Sequence, residues 1–187
     1  MIEAEARRLG NLVADLLTLA RADSDELSVR LVPVEVSTVV RAVVAALRSL
    51  AREEGRVTVV HEPTPDLVWA VGDPDRLTQV LMNLPRNAVT HTSPNGAVRM
   101  EVGASGGGLV TIEVADTGTG ISPADLPLVF ERFFRADQAR ARDSGGFGLG
   151  LSIARELVEA MGGRLTVASE EGLGTTFSVQ LQPAPQG

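Results

Sequence analysis

Asp116 opens the run Asp-Thr-Gly-Thr-Gly, residues 116–120, directly after the apolar stretch LVTIEVA at 109–115. An ionised carboxylate accepts hydrogen bonds and cannot donate them. Held at a strand end beside glycine backbone that admits a flat ring, it suits an exocyclic amine such as that of adenine, although two glycines after a strand can also make a plain turn. Residues 145–152 read GGFGLGLS and run straight into the helix-forming stretch LSIARELVEAM. Glycines at a helix start expose backbone N–H groups at the positive end of the helix dipole, which makes an anion cradle. Between these two runs lies FERFFR, 130–135. Its phenylalanines, Phe130 and Phe133, are expected in the core. Arg132 and Arg135 are candidate anion contacts, because guanidinium meets phosphate oxygens in a planar fork. Asn83, Asn87 and His91 recur every fourth residue, so a helix there carries them on one face. Taken alone, that polar row is ordinary solvated surface.

Composition narrows the chemistry. The chain has 187 residues, 44% of them hydrophobic and 3% aromatic, and carries a formal charge of −7. A core is affordable in one domain with a short appendage. Net negative charge argues against nucleic acid as a partner. All 17 basic residues are arginine, which removes a P-loop lysine, a protein-kinase lysine and Schiff-base chemistry. The absence of cysteine removes disulfides, thiol nucleophiles and zinc–thiolate sites. His61 and His91 lie too far apart for a local metal motif. No apolar run reaches the ~20 residues of a membrane span, and Glu3, Glu5 and Asp15 are unlike the start of a signal peptide. No membrane contact is expected from this segment.

The elements that must position those residues follow from periodicity. Residues 1–22 predict an amphipathic helix with a heptad seam of Ile2, Ala6, Leu9, Val13, Leu16 and Ala20, widened by Leu12, Leu17 and Leu19. Such a seam favours a helical partner over packing on its own domain. A charged linker, 23–30, separates it from a domain at 31–187. There, LVPVEV predicts a strand, and STVVRAVVAALRSLARE a helix with Ser37 as N-cap. RVTVVHE and LVWAVG predict strands. Residues 73–91 predict a helix capped by Asp73 with Pro74 in its first turn, burying Leu77, Val80, Leu81, Leu84 and Ala88. AVRMEVGAS and LVTIEVAD form a hairpin through the GGG turn. PADLPLVFERFF predicts a short helical stretch and RADQARARDSGGFG a loop. LGLSIARELVEAMGG predicts a helix ended by Gly162 and Gly163, and RLTVASE with GTTFSVQLQ a closing hairpin. The sum is α+β: a two-layer sandwich, its mixed, mostly antiparallel sheet covered by helices on one face, preceded by one amphipathic helix.

In this order the pieces closely resemble the ATP-binding catalytic domain of bacterial sensor histidine kinases, in the family shared with gyrase and mismatch-repair ATPases. LMNLPRNAVTH is similar to the N box, DTGTG to the G1 box, FERFFR to the F box, GGFGLGLS to the G2 box, and GLGTTF at 172–177 to the final glycine–threonine motif. Residues 1–22 resemble the second helix of the family's dimerisation and phosphotransfer hairpin. The resemblance implies a Bergerat-type fold and ATP with Mg²⁺ as ligands. It assigns Asn87 to the metal, Asn83 to the site's edge and Asp116 to the adenine amine, with Gly118 and Gly120 giving the ring room. It further implies nucleotide contacts from His91, Ile121, Arg135, Gly146, Phe147, Gly148, Leu149, Gly150 and Thr175, and phosphate contacts from Arg140 or Arg142. Two departures stand out: Thr90 where the family has a basic residue, and Pro85 inside the helix bearing both asparagines, where a kink is expected.

The family's acceptor histidine lies on the first helix of the hairpin, and the sequence offers no equivalent, since His61 falls in a predicted strand and His91 in the N-box helix. The resemblance therefore implies γ-phosphate transfer from ATP to a histidine upstream or on a partner chain, then relay to a response regulator, on the cytoplasmic side. The alternative is a catalytically weak or inactive nucleotide-binding or protein-interaction module of the same fold, with Pro85 and Thr90 as the marks of decay.

Overall fold

The computed structural model describes residues 2–24, 27–54, 57–61, 68–104, 108–136 and 147–185. The first helix, α1, spans Ile2–Asp23. It turns a face different from its heptad seam toward the domain: Leu19 is 3% exposed and Leu12 packs on the core. Leu9, Val13, Leu16 and Leu17 stay exposed. The helix thus packs on its own domain and still presents an apolar stripe outward.

β1 (Val32–Glu35) pairs antiparallel with β3 (Trp69–Gly72) in a small two-stranded sheet. α2 follows β1 without a gap, Val36–Glu54. Ser37 is therefore not its N-cap. It lies inside the helix, buried, and its hydroxyl accepts the Val68 N–H at 3.3 Å, while the Glu35 carboxylate at the helix start accepts from the Thr38 hydroxyl at 2.7 Å.

The main sheet has five strands in the order β2 (Val57–His61), β4 (Gly96–Ala104), β5 (Val110–Asp116), β7 (Gly174–Leu181), β6 (Arg164–Glu170). Only β2 and β4 run parallel, joined through β3 and the helix α3, Pro74–His91. The other pairs are antiparallel. Alternation of buried and half-buried residues, strict in β5 and from Thr175 onward in β7, gives each strand one core face, as a period of two requires. Against that face pack α2, α3 and α4 (Gly150–Ala160), closing a core around Phe177, Leu77, Leu81, Met100, Ile112 and Leu157.

α3 carries the polar row, and its start is fixed in detail. Asp73 Oδ1 accepts the N–H groups of Asp75 and Arg76 at 3.0 and 3.2 Å, a capping arrangement that satisfies donors the helix cannot. Pro85 lies inside α3 and is buried, yet the helix runs unbroken from Pro74 to His91. The proline removes one donor toward Leu81 without ending the helix. At the far end of α4, Gly162 takes φ +72° and donates to the Glu159 carbonyl at 2.9 Å, so the helix closes at the expected glycines. The expected helical stretch in PADLPLVFERFF is only one 3₁₀ turn, Leu126–Leu128, followed by turns. Prolines at 123 and 127 and the lack of an apolar period of 3.6 account for its shortness.

Candidate functional site

Three chain segments meet at one end of the sheet. The first is the end of β5. Asp116 is 9% exposed, and pairs across the sheet with Val98 and Thr175. Its Oδ1 accepts the Gly118 N–H at 2.8 Å. Burial pushes its carboxyl pKa up, opposed by the N–H groups of Gly118 and Thr175 and by the nearby His91. A carboxylate has about four acceptor positions, so two bonds leave capacity for an incoming donor.

The space a Cβ would take at Gly118 and Gly120 is occupied by the chain itself. A Cβ at Gly118 would lie 2.5 Å from the His91 carbonyl oxygen, and one at Gly120, where φ is +66°, would strike the Glu170 carbonyl. These glycines let the turn lie flat against the end of α3 and the β6–β7 turn. The Thr119 N–H reaches the His91 carbonyl at 3.3 Å, and the Thr119 carbonyl takes the Gly172 N–H at 2.7 Å. Ile121, half-buried, donates its N–H to Ser169 Oγ at 2.9 Å, which lies 2.9 Å from the hydroxyl of the buried Thr175. Sequence reasoning missed Ser169: a single serine in a strand carries no signal until β6 and β7 are paired.

The second segment is the polar face of α3. Asn83 Nδ2 donates to the Gly150 carbonyl at 3.3 Å, joining α3 to the start of α4. Asn87 is half-buried, one turn further along the same face. Thr90 turns its hydroxyl back to the Arg86 carbonyl at 2.8 Å. The His91 ring is desolvated enough to lower its pKa, Asp116 pulling the other way and Arg135 adding to the fall. Arg135 and His91 thus lie within electrostatic reach of Asp116's end of the site.

The third segment is the start of α4. Leu149 is buried and Phe147 packs on the core. Gly148, at φ +74°, has no room for a side chain against the backbone of Phe133 and Phe134. Its carbonyl accepts the Phe133 N–H at 3.0 Å. Phe133 itself is not a core residue. It is 60% exposed with φ +63°, whereas Phe130 meets Phe177 edge-on at 6.3 Å. Arg132 is likewise not offered to an anion: it grips Asp23 of α1 through both guanidinium nitrogens, at 2.6 and 2.5 Å, and approaches Glu156 of α4 at 3.5 Å. Arg140, Arg142 and Gly146 lie outside the described residues.

Among the described residues, no three His, Asp or Glu side chains gather to hold a metal. The donor set at Asn83 and Asn87 still fits Mg²⁺, a hard ion that takes few protein oxygens and completes its shell with phosphate and water. A hollow of about 420 Å³ opens elsewhere, at the other end of α3, lined by Ser28, Val29, Arg30, Asp73, Asp75 and Arg76. It has no glycine turn, and the Asp73 oxygens there are already committed to backbone N–H groups.

Together these parts form a two-layer α/β sandwich in which Asp116, the polar face of α3 and the glycine start of α4 lie at one end of the strands. Residues 72–185 match the histidine kinase-, DNA gyrase B-, and HSP90-like ATPase family, and the chain belongs to it. It is 36% identical over 177 residues to the sensor-like histidine kinase SenX3 of Mycobacterium tuberculosis, covering 95% of this chain and 42% of that protein. It is 36% identical over 182 residues to the sensor protein SrrB of Staphylococcus aureus, covering 97% and 30%. Among solved structures, full-length ShkA in complex with AMPPNP superposes with a TM-score of 0.79 at 34% identity, covering 96% of this chain and 36% of ShkA. The mycobacterial sensor histidine kinase MprB gives 0.68 at 28%, covering 84% of this chain and all of that one. The chain spans less than half the length of the sensor kinases SenX3 and SrrB.

Proposed function

We propose that this chain is the ATP-binding, phosphoryl-donating part of a sensor histidine kinase, working on the cytoplasmic side and acting on a histidine outside these residues. The observation that carries the reading is Asp116: a buried carboxylate with unused acceptor capacity, beside the polar face of α3 and the glycine start of α4, in a chain resembling sensor kinases along almost its whole length. Asp116 would take the adenine amine, with Ile121 and Thr175 lining the turn around it. His91 and Arg135 would border the ring and the phosphates. The backbone of Gly146, Phe147, Gly148, Leu149 and Gly150 would face the phosphates. Asn87, with Asn83 beside it, would hold Mg²⁺, which neutralises phosphate charge when bound. The chain's own task is then to bind, orient and exclude water.

The acceptor lies elsewhere on this reading. His61 is held in β2 with its Nδ1 3.1 Å from the Met100 carbonyl, and His91 borders the nucleotide. The outward stripe Leu9, Val13, Leu16 and Leu17 of α1 suits a helical hairpin that bears the acceptor, which would pass the phosphoryl group to a response regulator. No described helix is long and apolar enough to cross a membrane. With radiolabelled ATP, the purified chain should stay unlabelled, and an added histidine-bearing hairpin from its own kinase should acquire acid-labile label. Label on this chain alone would defeat the assignment of the acceptor. Tight ATP binding with no transfer to any hairpin would favour the inactive module, for which Pro85 and Thr90 are the marks.

A further inference from the structure

Arg132 joins the end of α1, the turn at Arg132–Phe134 and α4, adding a polar link to the apolar packing of α1 on the domain. Its guanidinium takes both oxygens of Asp23, the last residue of α1, and approaches Glu156 on α4. Next in the chain is Phe133, a bulky residue in the left-handed region and largely exposed. A side chain of that size adopts such a conformation only where its surroundings impose it. Apolar burial cannot supply the constraint here, because the ring faces solvent. Two contacts do: the anchored Arg132 on one side, and on the other the Phe133 N–H bonded to the Gly148 carbonyl at 3.0 Å. Gly148 in turn presses on the Phe133–Phe134 backbone so closely that no Cβ fits. A continuous set of contacts thus runs from the end of α1, through Arg132 and Phe133, to the glycine turn that opens α4.

We propose that Arg132 is a positioning residue that couples the docking of α1 to the phosphate-side turn: while it grips Asp23 and Glu156 it holds Phe133, and so Gly148, in the setting that receives a triphosphate, and release of α1 loosens that setting. This rests on the ATP-site reading above. The cluster is electrostatically favourable, the pair bond with Arg132 lowering the Asp23 pKa and the same bond raising that of Arg132. It is also solvent-accessible on the Asp23 side, so a pull on α1 can break it without unfolding the domain. A bidentate exposed pair coupled to a strained turn supports an effect of about fivefold.

The test uses the full chain, with ATP and adenosine as the two ligands, and the variants Arg132→Ala and Asp23→Asn. Asp23 is exposed at a helix end, so its variant keeps the test open if Arg132→Ala folds poorly. Both should weaken ATP binding by about fivefold and leave adenosine binding unchanged. The double variant should be no worse than either single one, because both remove the same link. Arg132→Lys, which keeps the charge and loses the fork, should fall between. Unchanged ATP binding in both single variants, equal losses for ATP and adenosine, or additive losses would each overturn the coupling while leaving the site reading intact. Failure of the unaltered chain to bind ATP would remove both.

Discussion

Asp73 and Asp116 are almost equally buried, at 8% and 9% exposure, and they titrate in opposite directions. Burial pushes both upward. At Asp73 that push is outweighed: Arg30 donates its N–H to Oδ2 at 2.9 Å, Asp75 and Arg76 donate to Oδ1, and the Arg76 charge adds to the effect, so the pKa falls. At Asp116, Gly118 and Thr175 do not fully offset burial, and the pKa rises. The difference lies in hydrogen-bond saturation together with how strongly each carboxyl is desolvated. A carboxylate that joins chain segments is satisfied by the backbone it joins. A buried carboxylate left short of partners carries an uncompensated desolvation cost that an added donor would relieve.

The comparison can be broken at either member. The largest effect on stability is expected from Asp73→Ala. It removes a helix cap, at about 1 kcal/mol, and leaves the Arg30 N–H without its partner, at about 2 kcal/mol more. The melting temperature should fall by roughly 10 °C, while adenosine binds the folded fraction as before. A melting temperature within a degree or two of the unaltered chain would show that the linker does not depend on this carboxylate. Asp116→Asn should do the reverse. Adenosine affinity should drop by about tenfold or more, since a bond to a charged acceptor contributes about 1.5–3 kcal/mol, while the melting temperature holds or rises. Equal affinity in calorimetric titration would remove Asp116 from the adenine site.

Acidification sharpens the same contrast. Asp73's folded pKa is depressed, so its stabilisation is present above its unfolded pKa and disappears as pH falls through the folded one. Asp116's is raised, so its ionised form costs stability near neutral pH, and that cost vanishes as pH falls through its folded pKa. Its ability to accept the adenine amine vanishes with it. Adenosine affinity should therefore decline on acidification before the Asp73 contribution to stability does, and Asp116→Asn should flatten the affinity profile. A profile unchanged by that substitution would assign the titration to another group. The smallest effect lies between the two ends of α3. Pro85→Ala restores a donor toward Leu81 but gives up the contacts of a buried ring, for a net gain of about 1 kcal/mol, read by thermal melting. A loss instead would mean that the ring's packing outweighs the missing hydrogen bond.

Much of this was legible in the chain. Asp73 followed by proline, the buried set from Leu77 to Ala88, the paired glycines after α4 and the alternation in β5 are all local signals, and the structure bears them out. The errors arose where a residue's role depends on a distant neighbour. Ser37 has the chemistry of a cap, but the β1–β3 pairing carries the chain into α2 one residue earlier and leaves the hydroxyl to Val68. Phe133 is apolar, but the Gly148 contact fixes its backbone and turns the ring out. Arg132 has the chemistry of a phosphate ligand, yet Asp23, more than a hundred positions away, takes it. The glycines of DTGTG carry a second constraint that no local pattern shows, since the chain's own carbonyls from His91 and Glu170 lie where a Cβ would be.

The strand order also fixes when this site can come into being. β4 with β5, and β6 with β7, are neighbours in sequence and can zip locally, whereas β5 with β7 closes only after the whole of α4 and the segment before it have been gathered in. Pairings between distant segments carry the larger loop-closure cost and form late. Asp116 and Thr175 face each other across that late pairing. On the proposed reading, a chain that has only its hairpins would be blind to nucleotide, and the first appearance of adenosine affinity during refolding would mark the joining of the two halves of the sheet.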